Sequence, residues 1–244
     1  GTVTAVNNFN LTIKKGECFS FLGPSGCGKT TTLRMLAGFE DLSEGEIRLE
    51  GKVVSNKAKN LYVPPEHRNL GMVFQAFAVW PHLNVFDNVA FPLQVQKRPK
   101  AEIEERVNLA LKQTNLLDQA KVFPSDLSGG EQQRIALARS IVVNPGILLL
   151  DEPLSNLDPK LRESMRFEIK RLQKEYNFTI VFVTHDQSEA LALSDRLLVM
   201  NKGEIIQIGT PQELYNKPLS LFVHNFLGES NFTKVEYRDG KVYA

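Results

Sequence analysis

Apolar positions along this chain change their spacing several times, and each change predicts a different element. Cys18-Phe19-Ser20-Phe21-Leu22 is an apolar run of strand length, and Thr31–Ala37 is compatible with a helix that Gly38 stops. Residues 2–13 alternate loosely, which predicts a strand or hairpin closed by a Lys14-Lys15-Gly16 turn. Gly45–Gly51 is a short strand between glycines, Leu61-Tyr62-Val63 is cut short by Pro64-Pro65, and Gly71–Gln75 is a buried strand ending in Gln75. Between about residues 84 and 143 the spacing is mostly helical. Lys100–Thr114 sets Ile103, Val107, Ala110 and Leu111 on one face, and Ser128–Val143 carries Ile135, Leu137, Ala138, Ile141 and Val142. Strand-length runs return at Ile147–Leu150 and Thr179–Val183, on either side of a helical span at Lys160–Tyr176. Strand, helix, strand at this spacing implies α/β architecture with a parallel sheet buried on both faces. Leu197–Met200 and Glu204–Gln207 enclose Asn201-Lys202-Gly203 as a hairpin, and Thr210-Pro211-Gln212-Glu213 starts a helix with a cap, a first-turn proline and a capping-box acid.

The loop between the first apolar run and its helix is Gly23-Pro24-Ser25-Gly26-Cys27-Gly28-Lys29-Thr30, which fits the phosphate-loop pattern of Gly, four residues, then Gly-Lys-Ser/Thr. Glycines there let backbone N–H groups curl around phosphate oxygens, and the helix N-terminus at Thr31 adds positive potential. Lys29 can reach terminal phosphates and Thr30 can ligate Mg²⁺. The bland alternative is a flexible glycine turn, and the strand before and helix after are what argue against it.

Four other features are ambiguous alone. Leu148-Leu149-Leu150-Asp151-Glu152 is a strand ending in two acids, where a parallel sheet exposes its ligand crevice; Asp151 suits Mg²⁺ and Glu152 suits polarising a water. Ser128-Gly129-Gly130-Glu131 is either a capping box or a second phosphate-binding helix N-terminus, and both can hold. His185 ends the strand after Thr184, in the sheet of Asp151, where it can meet a γ-phosphate; a lone His is more often structural. Gln75, at a strand end, is bland by itself.

Composition narrows the classes. With 244 residues there is material for one large domain or two small ones, and a formal charge of +1 offers nothing to a nucleic acid or an acidic membrane. The two cysteines, Cys18 and Cys27, lie in or beside the glycine loop, so a disulfide framework is not expected and a reducing compartment fits. No run approaches the roughly 18 apolar residues that span a bilayer, and no basic-then-apolar leader opens the sequence.

Together, and in order, these motifs resemble those of the nucleotide-binding subunit of an ATP-binding cassette (ABC) transporter. Gly23–Thr30 resembles Walker A, Gln75 the Q-loop, Leu127–Gln132 the signature, Leu148–Glu152 Walker B, Ser155-Asn156-Leu157-Asp158 the D-loop and His185 the switch histidine. The resemblance implies a P-loop NTPase core with a mostly parallel sheet, an antiparallel β subdomain and a helical subdomain inserted at roughly 76–144. It implies an ATPase domain over 1–227 and the truncated start of a regulatory domain over 228–244. Two subunits, identical or not, would sandwich two ATP with Mg²⁺. Gly23, Pro24, Ser25, Gly26, Cys27, Gly28, Lys29, Thr30 and Thr31 of one copy would face Ser128, Gly130 and Asp158 of the other. Glu152 would be the general base, aided by Gln75 and His185, with Thr30, Gln75 and Asp151 around the metal. Permease subunits and, indirectly, an extracytoplasmic solute-binding protein would be partners, and the subunit would lie at the cytoplasmic face of the membrane.

Val63–Asn69 and Val79–Val85 resemble the subfamily importing ferric iron, polyamines and sugars; Trp80-Pro81-His82 is most similar to iron and phosphonate importers. Phe226–Asn231 resembles the entry to their regulatory domain. The adenine-stacking aromatic of the family would fall just before Gly1, and Phe9 lies too close to the phosphate loop to replace it. Glu131 replaces the usual Gln, and we expect it to face away from the partner's phosphate. Exposed Phe77, Val79, Trp80 and Leu83 are expected to dock a permease helix; the alternative is local core. Alternatives to an importer are an exporter or lipoprotein-release ATPase, a soluble cassette acting on nucleic acid or ribosomes, and a catalytically dead cassette. The intact Lys29, Asp151, Glu152 and His185 disfavour the last.

Overall fold

The computed structural model describes residues 4–228, together with the backbone of 236–238 and 241–243. Its main sheet has six strands. β1 (Cys18–Leu22) lies at the centre, where both faces are covered and only an unbroken apolar run can go; all five of its residues are buried. Three antiparallel strands, β2 (Glu46–Leu49), β3 (Lys52–Asn56) and β4 (Leu61–Tyr62), form a separate small sheet. β5 (Leu70–Val73), β6 (Ile147–Asp151), β7 (Thr179–Thr184), β8 (Arg196–Asn201) and β9 (Glu204–Gly209) complete the main sheet in the order β5-β6-β7-β1-β8-β9. All its pairings are parallel except the β8–β9 hairpin. Two short strands, β10 (Glu236–Arg238) and β11 (Lys241–Tyr243), pair antiparallel, and most of the expected regulatory-domain start lies outside the described residues.

The sheet's two faces divide β1 by its period of two. Cys18 joins Ile180 and Phe182 in the cluster formed with the helices between residues 85 and 176, whereas Phe19 and Phe21 join Val181, Val183 and Leu33 on the opposite face. α1 (Lys29–Ala37) covers that opposite face and stops at Gly38, whose φ of 85° closes the helix in the left-handed region. α2 (Val85–Val95), α3 (Lys100–Gln113) and α4 (Gly129–Ile141) fill the predicted helical stretch. α5 (Pro159–Tyr176) begins at an Asp158 cap with proline in the first turn. α6 (Gln187–Leu193), α7 (Pro211–Asn216) and α8 (Leu221–Leu227) follow. The Thr210 capping box forms as its spacing predicts.

Register brings the chemistry to one edge. Leu22 pairs with Thr184 and Asp151 with Val183, so the chain leaves β1, β6 and β7 at nearly the same height. Val73 of β5 pairs with Leu150, placing Gln75 level with Glu152.

Two expectations differ from the fold. Residues 4–13 form no strand. The alternation persists, with Phe9, Leu11 and Ile13 packed on the core beside Phe21, but a strand also needs a neighbour for its backbone groups. Residues 2 and 3 lie outside the described residues. The strand expected at Gly71–Gln75 ends at Val73, and Gln75 sits two residues beyond it in the loop.

Candidate active site

The glycine loop closes on itself around a cation. Gly26 and Gly28 have φ of 77° and 104°, the left-handed region that a side chain resists. A Cβ on Gly28 would lie 2.6 Å from the Ala5 carbonyl, and one on Gly23 would lie 2.4 Å from the Met200 carbonyl. Lys29 is 5% exposed, and its Nζ donates to the carbonyls of Gly23 (2.7 Å) and Pro24 (3.0 Å). No carboxylate pairs with it among the described residues, so a buried ammonium relies on weak neutral acceptors. Gly28 caps α1 without a side chain, which leaves the first N–H groups of the helix facing a cleft of about 430 Å³. Ser25, Gly26, Lys29, Thr30, Thr31 and Glu152 line it, together with the Lys202–Gly203 turn and Thr4–Ala5. A cradle of open N–H groups around a buried cation fits a polyphosphate. Cys27 fills a buried small slot, its Sγ 3.8 Å from Lys29 Nζ. Burial pushes the Cys18 thiol up to about 12, so it stays protonated.

Beside the loop stand the two acids. The Thr30 hydroxyl donates to Asp151 Oδ1 at 3.0 Å. Burial raises the Asp151 carboxyl above its usual range, an effect the Thr30 hydrogen bond partly offsets. A carboxylate and a hydroxyl oxygen side by side suit Mg²⁺, which takes few protein ligands and completes its shell with phosphate and water. The described residues contain no cluster of three or more His, Cys, Asp or Glu able to cage a metal.

Glu152 is the convergence point. Its φ is 45°, rare for a residue with a side chain, and its N–H is tied to the Val183 carbonyl at 2.9 Å. The turned backbone projects the carboxylate out of the strand. Glu152 Oε2 meets Gln75 Nε2 at 3.2 Å and His185 Nδ1 at 3.1 Å. Three candidates from three strand ends therefore share one oxygen. The Asn156 side chain holds the Gln75 carbonyl at 2.9 Å, a support that nothing in the spacing of the sequence announces.

Ser128, Gly130 and Asp158 are not part of the cleft lining. Asp158 caps α5 through the N–H groups of Lys160 and Leu161, each at 3.0 Å. Gly129 and Gly130 give close approach to neighbouring side chains: a Cβ on Gly130 would lie 3.1 Å from Leu161 Cδ1, and one on Gly129 would lie 3.4 Å from the Phe77 ring. The Ser128–Glu131 capping box is complete in both directions. Glu131 Oε2 accepts the Ser128 N–H at 2.8 Å and hydroxyl at 2.6 Å, while Oε1 takes the Gln119 amide. These bonds, the Ser128 hydroxyl first, hold the Glu131 carboxyl below the usual carboxylate range. Its charge is committed to its own helix cap. Glu131→Gln preserves a cap acceptor, so it should change the ATP hydrolysis rate by less than about tenfold in a steady-state assay. A larger gain would mean that the acid opposes a phosphate instead.

The expected exposed patch is half-buried. Phe77 and Val79 pack on the core, and the Trp80 ring lies 4.4 Å from the Phe91 ring with the Arg139 guanidinium 4.4 Å from its centroid. Trp80 thus packs against two helices of its own subdomain. Phe91 itself is exposed, and elsewhere the exposed Phe39 and Phe74 rings lie with centroids 6.1 Å apart. Phe9 meets Phe21 edge-on at 5.8 Å, consistent with its being core and not an adenine platform. No helix among the described residues is long and apolar enough to cross a membrane.

A family model described as ABC transporter matches residues 6–155. The chain is 55% identical over 230 residues to a spermidine/putrescine import ATP-binding protein, PotA, of Thermobifida fusca, covering 94% of this chain and 58% of that protein. It is 50% identical over 228 residues to a trehalose/maltose import ATP-binding protein, MalK, of Thermococcus litoralis, covering 93% and 61%. The chain therefore spans about three fifths of the length of these curated relatives. Among solved structures, it resembles the dimeric ATP-binding cassette MJ0796 in a post-hydrolysis state bound to ADP and Pi, with a TM-score of 0.73, 34% identity and coverage of 86% and 91%. It also resembles cbiO1 from Clostridium perfringens, part of the ABC transporter complex cbiONQ, with a TM-score of 0.79, 32% identity and coverage of 87% and 84%.

Proposed function

Because the chain belongs to the ABC transporter family, with the fold of its ATP-binding cassettes, we propose that it is the ATP-hydrolysing subunit of a solute importer. The observation that carries the hydrolytic part is the meeting of Gln75 and His185 on one oxygen of Glu152, at the mouth of the phosphate-loop cleft. In this reading Lys29 exchanges the Gly23 and Pro24 carbonyls for the β- and γ-phosphates of ATP. The open N–H groups at the start of α1 take further phosphate oxygens. Thr30 and Asp151, with Gln75, would hold Mg²⁺, which would neutralise charge on the phosphates. Glu152 accepts a proton from the attacking water. Gln75 and His185 fix the direction of its carboxylate, and His185 can turn to the γ-phosphate. Positioning and charge stabilisation then supply most of the rate.

Ser128, Gly130 and Asp158 lie off the cleft, as they should if a second copy or a related subunit brings them to it head to tail. The ATPase domain is assigned to 1–227, with a helical insert at roughly 76–144, and 228–244 to the start of a regulatory domain. Permease subunits would dock on the insert, where Phe91 and Phe123 are exposed aromatics available to them. The subunit would then sit peripherally at the cytoplasmic face, and a solute-binding protein would act from the other side.

The relatives named above serve polyamines and sugars, and we propose that class of solute in place of the ferric iron suggested by Trp80-Pro81-His82. An acid at Glu131 in the signature would favour an exporter, but its place in the capping box accounts for it without any bearing on direction of transport. The test is uptake into vesicles holding this subunit, its permeases and binding protein, with ATP. Spermidine, putrescine, maltose, trehalose and ferric iron form the solute panel. Uptake of a polyamine or sugar, lost in Glu152→Gln, is expected. Uptake of iron alone would overturn the solute class, and ATP hydrolysis with no uptake would overturn the importer.

A further inference from the structure

Arg162, in the first turn of α5, makes three contacts through one guanidinium, to the loop of Leu157, to the cap of α6 and to α6 itself. Its Nη2 donates to the Leu157 carbonyl at 3.1 Å, in the loop that ends at Asp158. Its Nη1 lies 3.5 Å from Asp186 Oδ2, and its Nε lies 3.5 Å from Glu189 Oε1. The two carboxylates bracket the histidine. Asp186 follows His185 directly, and the other oxygen of Glu189 accepts the hydroxyl of Thr184, which precedes His185, at 2.6 Å. The same Leu157 packs near Gly129, 3.9 Å from where its Cβ would be, so the strut reaches the start of α4 as well.

The geometry is also slack. Arg162 Nε is buried and has no hydrogen-bond partner, although the Glu189 carboxylate faces it. An approach of about half an ångström would make that contact an ordinary hydrogen bond. A buried, unmet donor beside a ready acceptor is unfavourable, so closing that gap would be a gain. The guanidinium suits the task because it stays charged and presents its donors in a rigid fork.

We propose that Arg162 is a positioning residue for ATP hydrolysis: it ties the loop of Leu157 and Asp158 to the segment carrying His185, so that the histidine's place against Glu152 follows the position of that loop. The inference rests on the hydrolytic roles proposed above for Glu152 and His185. It makes Arg162 a carrier of the signal that the partner-facing loop is seated. A packing role alone would leave the chemistry of His185 untouched.

The experiment is a double-mutant cycle in the assembled transporter, read by single-turnover MgATP hydrolysis followed long enough to measure slow variants, with equilibrium ATP binding beside it. Arg162→Met should slow hydrolysis about tenfold and Arg162→Lys about threefold, with ATP affinity within about twofold of wild type. In a His185→Ala background the same substitutions should cost less than about twofold, because the residue they act through is gone. A full tenfold loss in that background would overturn the proposal, as would weakened ATP binding with the hydrolytic step intact. Should Arg162→Met fail to fold, the Arg162→Lys cycle decides by the same criterion, since it keeps the charge while losing the fork. Equal hydrolysis by wild type and Glu152→Gln would instead overturn the hydrolytic reading itself, a result distinct from either outcome of the cycle.

Discussion

Glu152→Gln should slow ATP hydrolysis about a thousandfold while ATP binding survives, the loss expected of a general base replaced by an amide of the same shape. The carboxylate is held by a turned backbone at φ 45° and by contacts from Gln75 and His185, so its direction is set before any water arrives. The substitution keeps the volume and one oxygen acceptor, but an amide oxygen does not take up a proton at neutral pH. The proposed nucleotide contacts lie with the phosphate loop, which the change does not touch. The check is phosphate release in a single turnover alongside equilibrium binding of labelled ATP. A slowing of less than about tenfold would remove Glu152 from the role of base and turn attention to a water held by His185 alone.

The second large effect is on binding. Lys29→Met should weaken ATP binding about a hundredfold, the size expected when charge-assisted hydrogen bonds to phosphate are lost. Without nucleotide, the same substitution leaves the Gly23 and Pro24 carbonyls without their donor, at a stability cost of about 1 kcal/mol. These two numbers separate a binding lysine from a loop-stabilising one. Calorimetric titration gives the first and denaturant unfolding the second. Affinity within fivefold of wild type, with a large loss of stability, would assign Lys29 to holding the loop and not the ligand.

Much of the site was legible in the residues because its parts are local. A glycine loop between a strand and a helix, a strand ending in two acids and a capping box each need only a few consecutive residues to be recognised. The capping box at Ser128 is a good case, since its two hydrogen bonds run between residues three apart. Its consequence for Glu131 was half legible: the spacing said where the carboxylate could go, and the third partner, Gln119, comes from a turn twelve residues earlier. Trp80 shows the opposite limit. An apolar residue in a proline-flanked loop is expected at the surface, but Phe91 and Arg139, from two different helices, cover it. Residues 4–13 show a third. Phe9, Leu11 and Ile13 alternate and pack against the core, but the strand or hairpin expected there does not form, because it depends on a hydrogen-bonding neighbour that periodicity does not reveal.

What the sequence determined by itself was the alphabet of the site and the order of its elements. Unbroken apolar runs specify strands buried on both faces, and helical spacing between them requires parallel crossovers, so the sheet's class follows from solvent exclusion and chain connectivity. Tertiary structure alone decided that Gln75, Glu152 and His185 meet on a single oxygen, because this depends on the register of β5, β6 and β7 and on one positive φ. It also decided that Arg162 spans the loops on either side of it. Contacts between side chains 75 to 185 residues into the chain are set by packing of the whole sheet, and distances of a few tenths of an ångström there separate a hydrogen bond from a near miss.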